Sequence, residues 1–416
     1  MKKNKLLYWG EAPAPLIHTG FGRVSKHILK AIHETENYDI NVIGINYFGQ
    51  FYDQKEIPYH ISPALVGNNA HPYGFNFLLE ELHKTKYDVL MVVNDLYVAD
   101  VVAEKVEEYR QRHNPNLKIV FYYPVDAKVI KSKKKQFIEI ADYPIAYNQW
   151  SAFETKKVFP EFSDRGQVIN HGVDTDLYCP LPKETRDFAR EKIFGIKPND
   201  DKFVFINVNR NSLRKDLPRC IYAFNKFKKD TKSNSILYLH TNPTDQGIDL
   251  ISLVHELGMS TKTDVCFPVG YNLTDNALPD SKMNLLFNAG DALITTTLGE
   301  GWGLASTDSM ASGLLNIAPL HTSYYEIMKN DRGITYNCSD VSRIDNNGYR
   351  PMGTIPEIVD AMKRGYEAAH TPEGEKIKTK AIEYCKEIHW KNIEKQWKTL
   401  FSSLPKIKNS VKMESV

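Results

Sequence analysis

The sequence predicts an α/β protein built from two doubly wound parallel-sheet domains, on three observations. The chain has 416 residues, too many for one ordinary hydrophobic core, so two domains are expected. Short apolar, β-branched runs alternate with amphipathic helical stretches along both halves, the pattern of strands joined in parallel by helical crossovers. Each half also contains a strand-like run that leads into a glycine-rich turn and then a helix. These are Lys5 to Trp9 ahead of Thr19 to Gly22, and Ala292 to Thr297 ahead of Leu298 to Gly303.

In chain order, Lys5 to Trp9 reads as the first strand. Pro13 and Pro15 exclude a helix directly after it, and Thr19, Gly20, Phe21 and Gly22 then open an amphipathic helix with Val24, Ile28, Leu29 and Ile32 on one face. Strand-like runs recur at Ile40 to Ile45, Val89 to Val93, Ile119 to Tyr123, Tyr143 to Ala146 and Gln167 to Ile169. Helical stretches separate most of them, notably Phe75 to Thr85 and Val98 to Arg112. Two strand ends carry polar groups, NDLY at Asn94 to Tyr97 and YYPVDAK at Tyr122 to Lys128. The carboxyl ends of strands in open α/β sheets face the ligand crevice, so Asn94, Asp95 and Asp126 are cleft candidates. An acid after a strand is more often just a helix cap or turn former.

Residues 1–180 form the first predicted domain and 181–383 the second. Its first strand, Phe203 to Val208, is followed by NRNSLRKDLPR, with Arg210, Arg214, Lys215 and Arg219 crowded ahead of a helix bearing Ile221, Phe224 and Phe227. Such a run is by default a solvated loop. Further strands are expected at Ile236 to Leu239, Val265 to Val269 and Leu314 to Ala318. In the stretch 384–405, Trp390, Ile393, Trp397 and Phe401 recur at helical spacing, which reads as core packing. Residues 406–416 are polar, lysine-bearing and expected to be a flexible tail.

Composition excludes little. Hydrophobic residues at 42% and charged residues at 25% are ordinary for a globular protein, and a formal charge of +2 leaves any polyanionic partner to local clusters. The N-terminal MKKNKLLYWGE is broken at Gly10 and Glu11, too early for a signal peptide's apolar core, and no stretch approaches bilayer-spanning length. Five scattered cysteines, Cys179, Cys220, Cys266, Cys338 and Cys385, form no C-x-x-C. Neither a disulfide framework nor a zinc site is indicated, and a reduced, cytoplasmic enzyme is expected.

The most informative stretch is ALITTTLGEGWGLASTDSMASG, Ala292 to Gly313. A glycine-rich turn between strand and helix lets backbone N–H groups and the positive end of the helix approach an anion closely, so a phosphate is expected there. Glu300 sits in the turn, and Asp308 lies at i+4 from Leu304 near the buried stripe, where a charge is costly without a use. EGWGLASTDSMASG resembles the E-G-x-G-L-x-x-x-E-A-M-A-x-G signature of family 4 glycosyltransferases with the GT-B fold.

The resemblance implies two Rossmann-like domains facing each other across a cleft, the second binding a nucleotide-diphosphate sugar and the first the acceptor. It implies transfer with retention and without a metal, and no cofactor beyond the donor. It assigns donor-sugar hydroxyls to Glu300 and the ribose hydroxyls to Asp308, where the family has a longer Glu. Gly301, Trp302, Gly303 and Leu304 belong to the same donor loop, and Gly20 and Gly22 to the first glycine-rich loop facing it. NRNSLRK resembles the family's G-R-x-x-x-x-K-G segment, which places Arg210 and Lys215 on the diphosphate, with Asn209 in place of a glycine. The nucleotide base falls near Val269 to Tyr271. In YYPVDA, Val125 stands where many members have His, which leaves Asp126 to touch sugar or acceptor. INHGVDTDLYCP looks like the segment that closes the first domain. Its Asp174-Thr175-Asp176 is not read as a metal site, because it lies between the domains and Arg and Lys supply the counter-charge. HWKNIEKQWKTLFSSL looks like the terminal helix that crosses back onto the first domain.

The expected function is therefore a retaining glycosyltransferase using a nucleotide sugar, UDP-linked by family frequency, with Glu300, Arg210, Lys215 and Asp126 as the catalytic set. A catalytically silent nucleotide-binding module of the same fold is the alternative, kept by Asp308 and the absent His. For the acceptor, TTTLGEGWGL, NRNSLRKDLPR and YYPVDA look like glycosyltransferases encoded by bacteriophages, some of which modify viral DNA. A hydroxymethylated DNA base is put first on that ground, with Lys128, Lys131, Lys133, Lys134, Lys135, Lys156 and Lys157 as phosphate partners. A glycan or glycolipid is the other candidate, and a glycolipid would call for a basic, apolar-edged surface on the first domain.

Overall fold

The computed structural model describes residues 3–66, 71–268, 278–343 and 349–404. Two all-parallel sheets organise it. The first comprises β1 (Asn4–Glu11), β2 (Tyr38–Ile45), β3 (His60–Pro63), β4 (Val89–Val93), β5 (Lys118–Tyr123), β6 (Tyr143–Ala146) and β7 (Gln167–Val168), in the order β3-β2-β1-β4-β5-β6-β7. The second comprises β8 (Phe203–Val208), β9 (Ser235–His240), β10 (Val265–Cys266), β11 (Ala292–Ile294), β12 (Leu315–Pro319) and β13 (Ile334–Tyr336), ordered β10-β9-β8-β11-β12-β13. A small antiparallel hairpin, β14 (Asp340–Ser342) with β15 (Arg350–Met352), is appended to the second domain. The doubly wound α/β architecture read from the sequence is what the chain adopts.

Both sheets are covered on two faces, which is why their strands read as near-continuous apolar runs. Along β1, Leu6 and Tyr8 pack on one side with Val24, Ile28 and Leu29 of helix Gly20–His33, while Leu7 and Trp9 pack on the other with Leu78 and Val106. Register sets the edge that matters: Gly10 of β1 pairs with Gly44 of β2 and with Val93 of β4, so the carboxyl ends of the central strands finish level. Glu11, Asp95 and Asp126 thereby arrive at one edge of the sheet.

Helix Trp390–Ser403 leaves the second domain and lies against helix Gly20–His33 of the first. Trp397 is fully buried, the Tyr38 hydroxyl donates to the Phe401 carbonyl at 2.8 Å, and His27 meets Glu394 at 2.8 Å. The stretch Val98 to Arg112, expected as one helix, is two, Leu96–Asp100 and Ala103–His113, interrupted at the consecutive β-branched residues Val101 and Val102. The sequence reading also missed β3, β13 and the hairpin, whose strands have three or four residues each and carry little periodicity.

Candidate functional site

The first glycine-rich loop connects β1 to helix Gly20–His33. Thr19 caps that helix, accepting from the Gly22 N–H at 3.0 Å while its hydroxyl donates to Glu11 at the end of β1. A Cβ on Gly22 would come within 2.7 Å of the Ile17 carbonyl oxygen, so only glycine lets the loop close this tightly. A Cβ on Gly20 would sit 3.2 Å from Leu304 Cδ1, so the loops of the two domains touch.

The second loop follows β11 and is held from below. The Thr296 hydroxyl donates to the Asp216 carbonyl at 2.9 Å, and His321 Nε2 lies 3.0 Å from the Thr297 carbonyl. Burial drives the His321 imidazole down to about 4, so it is neutral at physiological pH. Gly299 and Gly301 face the end of β5: a Cβ on Gly299 would overlap the Asp126 carbonyl oxygen, and one on Gly301 would lie 2.5 Å from Pro124 Cβ. Asn148 of the first domain donates to the Gly301 carbonyl at 2.6 Å. Gly303 turns the chain at φ +105°, and helix Leu304–Ala311 begins directly after it.

Between these loops runs a chain of alternating charges drawn from both domains. Lys215 Nζ donates to Glu300, Arg214 Nη1 stands 3.4 Å from Glu300 Oε2, and Arg214 Nε stands 3.3 Å from Asp126 Oδ2. Arg350 continues it, with Nη2 3.3 Å from Asp126 Oδ1 and Nη1 donating to the Asp126 carbonyl at 2.8 Å. Burial alone would raise the Glu300 carboxyl, but Lys215 and Arg214 outweigh it and hold it at about 2. Burial pulls Lys215 below its ordinary value despite Glu300. Asp95, at the end of the neighbouring strand, is pushed up to about 6 by burial and by Asp126, against the pull of Arg214. Lys215, Arg214 and Arg350 thus alternate with Glu300 and Asp126, with Asp95 close by, beside a glycine-rich helix N-terminus. That terminus suits an anion.

Of the residues singled out from sequence, Glu300, Lys215 and Asp126 meet here, and Gly20, Gly301, Gly303 and Leu304 shape the contact between loops. Trp302 is buried against His171, with ring centroids 5.6 Å apart, and its indole N–H is unpartnered. Arg210 stands apart, half-exposed, with Nε 2.6 Å from Asp245 Oδ2. Asp308 is buried, and both its oxygens are taken by Arg23 of the first domain. Burial pushes the Asp308 carboxyl up in spite of that partner. Tyr271 lies outside the described residues. Asp174 and Asp176 gather with His389 closely enough to hold a cation, but Lys391 Nζ already stands 2.7 Å from Asp176.

Sequence reasoning missed Arg214, Arg350 and Arg23. Arg214 was in view, one residue before Lys215. Arg350 offers no local signal, since only the hairpin carries it to Asp126.

No family profile matches the chain, and no curated protein matches it by sequence. Solved structures do. A sucrose-phosphate synthase from Thermosynechococcus elongatus superposes with a TM-score of 0.71 at 14% identity, over 96% of this chain and 98% of that one. A glycosyltransferase from Rickettsia africae gives 0.69 at 13% identity, over 97% and 98%. The HepE protein of Anabaena, solved in complex with UDP and glucose, gives 0.67 at 17% identity, over 96% and 100%. The chain has the GT-B fold. In GT-B terms, the charge chain from Lys215 to Arg350 crosses the interdomain cleft, and the Arg23–Asp308 pair bridges it a second time.

Proposed function

We propose that this GT-B protein is a retaining glycosyltransferase that moves a sugar from a UDP-sugar to an acceptor hydroxyl, without a metal. The observation that carries the reading is Lys215 and Arg214 converging on Glu300 beside the glycine-rich helix N-terminus. Those groups would stabilise charge on the diphosphate as the anomeric C–O bond breaks. The acceptor hydroxyl then bonds to the anomeric carbon from the face the diphosphate leaves, and its proton passes to the departing phosphate oxygen. Glu300, held ionised, is suited to accept hydrogen bonds from sugar hydroxyls, and Asp308 from ribose. Arg210 keeps its place in this reading from the family pattern alone. The HepE complex with UDP and glucose supports the choice of nucleotide. The five free cysteines support a reducing, cytoplasmic setting. Among the described residues no helix is long and apolar enough to cross a membrane.

For the acceptor, exposed lysines after β5 support a hydroxymethylated DNA base. Apolar side chains exposed beside them, Tyr97, Val101 and Ile130 among them, favour a glycolipid over DNA. UDP release from a panel of nucleotide sugars, with hydroxymethylated DNA and with lipid acceptors, tests both halves. Binding of UDP with no turnover of any donor would leave a silent nucleotide-binding module.

A further inference from the structure

Large apolar side chains that face solvent gather on one edge of the first domain. Phe48 (70% exposed) and Phe51 (96%) follow β2, Leu65 and Val66 follow β3, Tyr97 and Val101 follow β4, and Ile130 follows β5. These strands are parallel members of one sheet, so all four loops leave its cleft-side edge. Tyr97 and Val101 stand one turn apart at helix Leu96–Asp100. Gln136 Nε2 donates both to Asp100 Oδ2 and to the Ile130 carbonyl, each at 3.2 Å, which fixes Ile130 beside that helix. In the other direction Tyr97 lies close enough to Tyr73 for their hydroxyls to interact electrostatically, and Gly74 packs on Ala64, next to Leu65. The exposed groups from Leu65 to Ile130 therefore form one strip, with Phe48 and Phe51 on the adjoining loop.

Cations border it. Lys128, Lys131, Lys133, Lys134 and Lys135 are all exposed; Lys131 pairs with Glu139 at 2.9 Å, and among the described residues no carboxylate pairs with the other four. The carboxylates of the strip are committed elsewhere, Asp126 to Arg214 and Arg350, and Asp100 to Gln136 and the Phe137 N–H. Asp53 and Glu56 are exposed beyond Phe51, with Lys55 between them.

A polyanion would account for the lysines but not for Leu65, Val66, Val101 and Ile130. Nucleic-acid interfaces are polar, and bases stack on planar side chains. Aliphatic groups gain only by leaving water for an apolar phase. A bilayer with anionic headgroups offers that phase and the counter-charge at adjacent depths. We propose that this edge docks on an anionic membrane, with the apolar strip in the headgroup–acyl boundary and the lysine run on the headgroups. Docking so would hold the mouth of the cleft against a membrane-borne acceptor. It rests on the glycolipid half of the reading above and not on the donor chemistry.

Co-sedimentation with vesicles tests it, comparing phosphatidylcholine alone with a mixture of about one-third phosphatidylglycerol. The protein should bind the mixed vesicles and not the neutral ones. Lys133→Gln with Lys134→Gln and Lys135→Gln should weaken binding roughly a hundredfold, and Val101→Ser with Ile130→Ser roughly tenfold. UDP release from UDP-glucose, measured without vesicles, should be unchanged in both variants, which also shows that they fold. Absence of vesicle binding, equal binding to neutral vesicles, or indifference to the Val101 and Ile130 changes would each overturn the proposal. So would tight binding to duplex DNA by a protein that ignores vesicles. Vesicle binding without turnover of any donor would sink the transferase reading and leave the docking surface standing.

Discussion

Arg23, on the helix that opens the first domain, and Asp308, on the helix after the second glycine-rich loop, face each other across the cleft in a two-point ion pair. Nη1 lies 2.7 Å from Oδ2 and Nη2 3.2 Å from Oδ1. Asp308 is almost fully buried and Arg23 only partly exposed, so removing one partner strands a charge in a poor dielectric. Arg23→Ala is expected to cost about 3 kcal/mol of stability in urea unfolding. Asp308→Asn in that background should recover most of the loss. Additive losses would mean that the pair is not coupled.

The same pair constrains nucleotide binding. If ribose hydroxyls are bound by Asp308, they share or displace the Arg23 contact, and Asp308→Ala should weaken UDP binding tenfold or more in calorimetry. Unchanged UDP affinity would reduce Asp308 to an interdomain tie.

Lys215→Ala and Arg214→Ala should each lower donor turnover by roughly ten- to a hundredfold, the worth of a charge-assisted contact made chiefly in the transition state. Arg210→Ala should cost less than either, because Arg210 is half-exposed and turned to Asp245. Steady-state UDP release at saturating donor checks the order. A larger loss from Arg210→Ala would restore the family assignment of the phosphate clamp and remove Arg214 from it.

The difference between Arg210 and Arg214 shows what the sequence could and could not carry. Strand and helix periodicity is local, so most strands of the two sheets and the glycine-rich turns were legible residue by residue, and the motif around Glu300 marked one wall of the cleft. Pairings across the cleft were not. Arg23 and Asp308 are 285 positions apart, and Arg350 and Asp126 are 224 apart, joined only once both domains have folded and closed. Within NRNSLRK the motif wording favoured Arg210, whereas the short helical turn Leu213–Lys215 puts Arg214 and Lys215 together on Glu300. Exposed apolar residues after strand ends leave no periodic trace, so the strip from Leu65 to Ile130 came from the structure alone.

Gly299 sets how closely the domains approach. A methyl group there overlaps the Asp126 carbonyl oxygen and crowds Arg350 Nη1 at 2.7 Å, and neither backbone nor a buried guanidinium yields easily. Gly299→Ala should hold the cleft slightly open, raising the radius of gyration in solution scattering and lowering turnover roughly tenfold or more. Some stability should be lost as well, since the buried apolar cluster runs on from Tyr122 and Tyr147 of the first domain into Phe287, Trp302 and Met310 of the second. Full activity in this variant would show that the seam between Gly299 and Asp126 is not part of the working state.

Two carboxyls at the cleft should pull stability in opposite directions with pH. Glu300 is held at about 2, below its ordinary 4.5, so its pairing with Lys215 and Arg214 contributes above the unfolded value and fades as pH falls from about 4.5 towards 2. Asp95 is raised to about 6 from an ordinary 3.8, so its contribution is complete only below about 4 and is lost as pH rises through 6. Asp95→Asn removes the second effect while keeping the shape of the side chain. The variant should be more stable than the wild type at pH 7 by about 1 to 2 kcal/mol, the shift discounted for partial exposure. The advantage should shrink through pH 6 to 5 and vanish near pH 4. Urea midpoints of both proteins at these pH values give the comparison directly. A difference that stays flat across the range would mean that Asp95 is not raised by Asp126 and burial, and that the two acids lie further apart in solution than at this strand edge.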